Sequence, residues 1–286
     1  MTQLSTSMFL LITLSLLGFG CGQVDDDGDG FSVGVDDDDD STPPEPEEGA
    51  VLAYVEFTRH ATFEVTAASA TLLSSWFSPT LVELRPPTPS DSDSCESRTI
   101  EDGSYALPSS DLDVGTPSLM SPSGASLGSE FVSPFWVNEF DSEDWESHQE
   151  YEVVVTGGSD LSASSFPGAL VTPAALTITL LEETEEGLNL EWFGGNNNGD
   201  IELRLVQESA TAGSSSEWVV CRLTDDGVAA LSAEYFSNFA LGEDVSLELL
   251  RSTSANFETE AGVPGIAAGI ATASWSGWFD VFGSDN

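Results

Sequence analysis

The sequence predicts an all-β protein: one or two antiparallel β-sandwich modules following a disordered acidic tether. Three observations predict it. Short runs alternate apolar and polar residues at period two; clusters of Gly, Asn, Asp and Pro separate them; and little of the chain carries a helical period. Many short strands divided by such turns build sandwiches rather than helical or α/β folds.

The first element is not part of the fold. An uncharged apolar run, Met8-Phe9-Leu10-Leu11-Ile12-Thr13-Leu14-Ser15-Leu16-Leu17, leads through Gly18-Phe19-Gly20 to Cys21. The run is about ten residues, where a membrane-spanning helix needs about 20. This arrangement resembles a bacterial lipoprotein signal of the signal peptidase II type. The resemblance implies that residues 1–20 are removed, that Cys21 is acylated, and that the chain is an outer-membrane lipoprotein of the cell envelope, facing the periplasm or the surface. Its partner there is the membrane, reached through the N-terminal lipid. The alternative is a plain secretory signal with Cys21 left as a free thiol.

Residues 21–49 are the acylated cysteine and its tether. From residue 22 to 49 there are twelve acidic residues and no basic one, including Asp25-Asp26-Asp27, Asp29 and the run from Asp36 to Asp40. Such a segment cannot bury enough apolar surface to offset its ordering entropy, and its charges repel one another. The fold is expected to begin near Ala50.

Strands are expected at 51–58, 62–67, 80–85, 150–156, 175–181, 217–223 and 266–282. The clearest alternations are Leu188-Asn189-Leu190-Glu191-Trp192, Ile201-Glu202-Leu203-Arg204-Leu205 and Val245-Ser246-Leu247-Glu248-Leu249. Gly194-Gly195-Asn196-Asn197-Asn198-Gly199 joins the first two as a hairpin connection, and Asp225-Asp226-Gly227 is a further turn. A helical turn fits residues 232–239, where Ser232 can cap and Glu234 lies in the first turn. The acidic stretch Glu182-Glu183-Thr184-Glu185-Glu186-Gly187 suggests a boundary, with modules at 50–182 and 183–286. The second module resembles Ig-like domains of secreted bacterial lipoproteins, carried by the strand ending in Trp192, the hairpin to Ile201–Val206, and Val220-Cys221 before Asp225-Asp226-Gly227. No activity follows from that resemblance.

Charge excludes some partners. Six arginines and no lysine face fifty acidic residues, a formal net charge of −44. Nucleic acid and anionic lipid surfaces would repel this chain. A glycan, a cationic envelope protein or a divalent metal remains compatible, as does plain solubility in a salty medium. Of the three cysteines, acylation of Cys21 leaves Cys95 and Cys221 for a disulfide in an oxidising compartment; two unpaired thiols are the alternative. Cys221 shares a strand face with Val219 and Leu223, whereas Cys95 reads as part of a polar loop, Asp91-Ser92-Asp93-Ser94-Cys95-Glu96.

Catalytic and metal motifs are sparse, so no catalytic residue and no cofactor is expected beyond weak calcium. Asp25, Asp27 and Asp29 match the opening of a calcium loop, with Phe31 offering a carbonyl and Asp36 at position twelve, where a longer Glu is usual. A solvated acidic linker is the alternative. Gly124-Ala125-Ser126-Leu127-Gly128 matches a nucleophile elbow but lacks the strand before and the helix after it. His60 and His148, the two histidines, have no cysteine at metal spacing. In Trp275-Ser276-Gly277-Trp278, strand alternation directs Trp275 to the core and Trp278 outward, where an indole can stack on a sugar or anchor a partner. The function expected is a lipid-anchored, non-catalytic structural or binding protein. The alternative is a secreted hydrolase, directed at glycan or peptide, with a β-sandwich catalytic domain.

Thirty-eight acidic residues outside the tether face six arginines. Their mutual repulsion is stronger in the compact state, which raises folded pKa values; stability is then lost above those values and returns as pH falls through them. In a melting series on the full chain, Tm is expected to rise with sodium chloride at pH 8, and to rise on acidification from pH 8 to about 5. A Tm flat in salt at pH 8 would contradict this.

Overall fold

The computed structural model describes residues 50–63, 65–101, 105–193, 199–208, 215–260 and 262–280. The predicted signal and tether lie outside the described residues, and with them Cys21 and the calcium-loop positions Asp25, Asp27, Asp29, Phe31 and Asp36. The fold is all-β, as the alternation predicts. In chain order the strands are β1 (Val51–Thr62), β2 (Val65–Thr80), β3 (Ser94–Ile100), β4 (Pro117–Met120), β5 (Ser126–Gly128), β6 (Glu130–Val132), β7 (Phe135–Asp141) and β8 (Glu150–Val155). They continue as β9 (Ser164–Val171), β10 (Thr177–Thr184), β11 (Gly187–Phe193), β12 (Asp200–Gln207), β13 (Ser216–Thr224), β14 (Val228–Ser232), β15 (Val245–Glu258) and β16 (Pro264–Gly277).

Nine strands form one sheet in the order β3-β13-β12-β15-β16-β1-β2-β7-β6. Two smaller sheets, β5-β4-β8-β9 and β10-β11-β14, contribute to the same core on its inner face. Pairing in the described residues is antiparallel, except that β1 runs parallel to β16. The core between the layers holds Phe57 edge-on to Tyr151 at 5.2 Å and Phe166 against Phe257 at 4.6 Å. The Trp145 indole N–H donates to the Phe57 carbonyl at 3.2 Å. β16 is built from Gly and Ala because β9 crosses close above it. A Cβ on Gly269 would collide with the Val171 carbonyl, which also accepts from the Thr253 hydroxyl.

The expected module boundary at 182/183 needs correction. It falls inside the β10–β11 hairpin, and the large sheet interleaves both halves: β1 lies beside β16, and β3 beside β13. The described residues form one sandwich made from both stretches of chain, 50–182 and 183–286. No strand occupies 81–85 either; the strand is β2, which runs up to Thr80. Leu72 and Trp76 of β2 face the inner core while Leu73 and Phe77 face the opposite side, so no period-two pattern announces it.

Part of the outer face of the large sheet is buried too. Beyond β2 the chain crosses this face to reach the far edge, where it forms β3. Val82 and Leu84 pack there with Val51, Tyr54, Phe77, Leu250, Ala268 and Ile270. Leu107 joins the same cluster on the return path, and Ser75 Oγ donates to the Pro108 carbonyl at 2.5 Å. The far end of this strap is pinned by polar contacts. Ser92 Oγ donates to Asp200 Oδ1 at 2.7 Å, Arg222 Nε to Asp200 Oδ2 at 2.8 Å, and the Thr224 N–H to Asp93 Oδ1 at 2.7 Å. The hydrogen bonds from Ser92 and Arg222 hold the Asp200 carboxyl below the usual carboxylate range. A depressed acid stabilises above its unfolded pKa and stops doing so as pH falls through the folded one, so this pin weakens in strong acid. Glu248, on the same outer face beside Arg204 at 3.8 Å, is shifted the other way: desolvation raises its pKa despite that cation and Arg85.

Cys95 is not in a loop. It lies on β3 directly opposite Cys221 of β13, and the two are joined across the strands with Cα atoms 4.0 Å apart. Cys221 is fully buried and faces inward with Val219 and Leu223, as the alternation indicated. The bridge spans a sequence separation of 126 residues and fixes the far edge to which the strap is tied. Closing so long a loop restricts the unfolded chain strongly, and removal of such a bridge costs about 2–5 kcal/mol. Replacing both cysteines by Ala, or reducing the bridge, is expected to lower the denaturant midpoint accordingly. An unchanged midpoint would show that the bridge constrains nothing.

Candidate binding groove

One side of the sandwich is left open between the edge of the small sheet, β14, and the edge of the large one, β3. Its construction starts at the turn Asp225-Asp226-Gly227 between β13 and β14. The Asp225 carboxylate is 2% exposed and is held from two directions. Arg251 of β15 grips it with Nε on Oδ2 and Nη2 on Oδ1, both at 2.7 Å, and the Trp192 indole N–H of β11 donates to Oδ1 at 2.8 Å. Arg251 Nη1 donates further to the carbonyls of Ala174 and Ala175, at 3.0 and 3.1 Å, ahead of β10. Gly227 then takes a positive φ of 97° to reverse the chain into β14.

β14 ends as cleanly as it begins. Ser232 Oγ accepts from the Glu234 N–H at 3.4 Å and caps a 3-10 turn over Ala233–Phe236, where the sequence predicts a helical turn. That turn is tied to the opposite edge, since Ser97 Oγ of β3 donates to the Tyr235 carbonyl at 2.8 Å.

The resulting groove has a volume of about 680 Å³. Its apolar lining includes Leu180, Leu190, Leu223 and Val228, with Cys95 of the disulfide on the wall. Four carboxylates line it: Asp93, Glu182, Glu191 and Asp226. A second hollow of about 570 Å³ shares Asn189, Ala230, Leu231 and Ser232 with the first and adds Glu185 and Glu186. Asp93 is occupied by Thr224, and Asp226 accepts from the Val228 N–H at 3.2 Å. Glu182 and Glu191 make no side-chain hydrogen bond or ion pair among the described residues. No arginine lines either hollow. Arg85, Arg98, Arg204, Arg222 and Arg251 pair with Glu56, Glu96, Glu202, Asp200 and Asp225, and Arg59 reaches the Leu176 carbonyl.

The residues singled out from the sequence are dispersed. Trp278 is 58% exposed, one residue past the end of β16, and lies outside the groove lining. Trp275 is partly buried and stacks on Phe279 at 5.8 Å, the inward placement that alternation predicts. Ser126 sits on β5, in a β-hairpin with β4 rather than on a turn into a helix. His60 Nδ1 is 3.2 Å from Thr272 Oγ1, and burial pushes its pKa down. Phe131 of β6, 51% exposed, meets the half-buried Trp136 of β7 at 5.3 Å. Among the described residues no three or more His, Cys, Asp or Glu side chains converge as a metal site.

Sequence reasoning missed the groove because its two walls are strands far apart in the chain, and β14 is five residues with no alternation of its own. The available signal is Asp225-Asp226-Gly227 itself, a turn whose following strand leaves no alternation in the sequence. Comparison with known proteins finds no family model and no curated protein that matches this chain.

Proposed function

We propose that this chain is a lipid-anchored, acidic protein of the bacterial cell envelope with a non-catalytic binding role. Cys21 carries the acyl chains, residues 22–49 act as an acidic tether, and the sandwich presents its open side to a glycan or protein partner. The observation that carries the binding reading is the groove beside β14, roomy, partly apolar and edged with carboxylates that have no cation of their own. The signal-like segment before Cys21 supports the anchor. One acyl chain gives only marginal anchoring and two or more make it stable, so acylation at Cys21 accounts for retention without a spanning helix. Nucleic acid is not a partner on this reading, because the groove and the whole chain repel it.

A second reading, a secreted glycan or peptide hydrolase, draws on the same carboxylates, since paired acids are the machinery of glycoside cleavage. Turnover of a glycan or peptide library by the purified chain, abolished by Glu182→Gln or Glu191→Gln, would favour it over the binding role.

The anchor is tested by Cys21→Ser. The wild type is expected to partition with membranes and take up labelled palmitate, and the variant to be unlabelled and released. A wild-type chain that is soluble and unlabelled would overturn the anchored reading.

A further inference from the structure

We infer that the free edge of β14 accepts an extended, basic segment of a partner protein as an added β-strand. This deepens the binding role proposed above and rests on it. Among the described residues β14 is hydrogen-bonded on one side only, to β11. At its two ends the Trp192 N–H donates to the Gly227 carbonyl, and the Ala233 N–H to the Glu186 carbonyl. In an antiparallel pair the bonded positions alternate, so Ala229 and Leu231 turn their main-chain groups toward β11. Val228, Ala230 and Ser232 turn theirs away, toward the groove. The Val228 N–H is already held by Asp226. Ala230, in the middle of the strand, offers an amide and a carbonyl with no partner among the described residues. An incoming strand has room, because the two hollows run along Ala230, Leu231 and Ser232.

Charge selects the incoming segment. Across the outer face of the small sheet, Leu180, Glu191 and Val228 form one row of side chains, and Glu182, Asn189 and Ala230 the next. A strand added beside β14 would place alternate side chains in line with these rows. Strands are spaced about 4.8 Å apart, so Glu191 on β11 lies about 10 Å from an added strand, within reach of a long lysine or arginine side chain, while Glu182 on β10, about 14 Å away, adds its charge to the field that attracts a basic segment. Those two carboxylates have no partner among the described residues, and every arginine of the chain is engaged elsewhere. Exposed edges are commonly guarded by charge against pairing with copies of themselves. Here the guard is of one sign, so it rejects a second copy of this acidic chain and admits a basic strand.

The test uses the purified full chain and a fluorescent nine-residue peptide that alternates Lys with Val and Thr. A control peptide of equal charge carries two prolines, which cannot donate to a ladder. The alternating peptide is expected to bind saturably, and the proline peptide about tenfold or more weaker. Ala230→Pro is expected to weaken the alternating peptide by a similar factor without shifting Tm, since proline is tolerated on an edge strand. Glu182→Gln with Glu191→Gln is expected to weaken binding and flatten its salt dependence. Equal binding of the two peptides would reduce the effect to charge attraction and overturn strand addition, as would the absence of saturable binding. The comparison of peptides leaves the protein unaltered, so it stands even where Ala230→Pro perturbs folding. Membrane partition of Cys21→Ser does not involve the groove, so failure of one reading is separable from failure of the other.

Discussion

The buried pair of Arg251 and Asp225 is the interaction on which the architecture turns. Two charges are taken out of water here, and such a pair survives only when geometry and remaining hydrogen bonds are good. They are: the guanidinium meets the carboxylate through two parallel bonds, the Trp192 indole takes up a carboxylate oxygen, and two backbone carbonyls take up the rest of the guanidinium. Arg251 belongs to the large sheet, Trp192 to the small one, Ala174 and Ala175 to the approach to β10, and Asp225 to the turn that launches β14. A non-directional core sets that two layers pack, whereas this network sets where the small sheet sits. The open groove and the free edge of β14 follow from that position.

A second constraint acts on the opposite side of the large sheet. The large sheet is apolar on its inner face and over part of its outer face too, and that outer patch is covered by the strap that crosses to β3 and returns. The strap explains why chemistry that looks peripheral matters. The disulfide, the Asp200–Arg222 pair and Asp93 all hold its turning point. Asp200 and Glu248 shift in opposite directions for local reasons: one carboxyl is held by donors at the exposed edge, and the other is desolvated on the sheet face.

The class of fold was legible because its best strands, β11, β12 and the start of β15, have one wet and one dry side. What was not legible has a physical reason in each case. β2 is buried on both faces, so its Leu72-Leu73 and Trp76-Phe77 pairs hide the period. β3, reading Ser-Cys-Glu-Ser-Arg-Thr-Ile, is an edge strand with so little apolar content that its sequence reads as a loop. The division into two modules followed an acidic stretch that is a hairpin turn, because long-range pairing such as β1 with β16 leaves no mark in local composition. Asp225 read correctly as a turn residue. Its burial depends on Arg251, which alternation from Val245, Leu247 and Leu249 carries onto the inner face, but nothing in β15 marks that arginine as paired with Asp225.

That this one ion pair fixes the two layers against each other is tested most directly by the unfolding free energy of Arg251→Met, measured by denaturant titration of the full chain. Removing the cation leaves the Asp225 carboxylate buried without its counter-charge, for which a loss of about 3–5 kcal/mol is expected. A loss below about 1 kcal/mol, the size of an exposed pair, would show that the layers are held by apolar packing alone and would contradict the account.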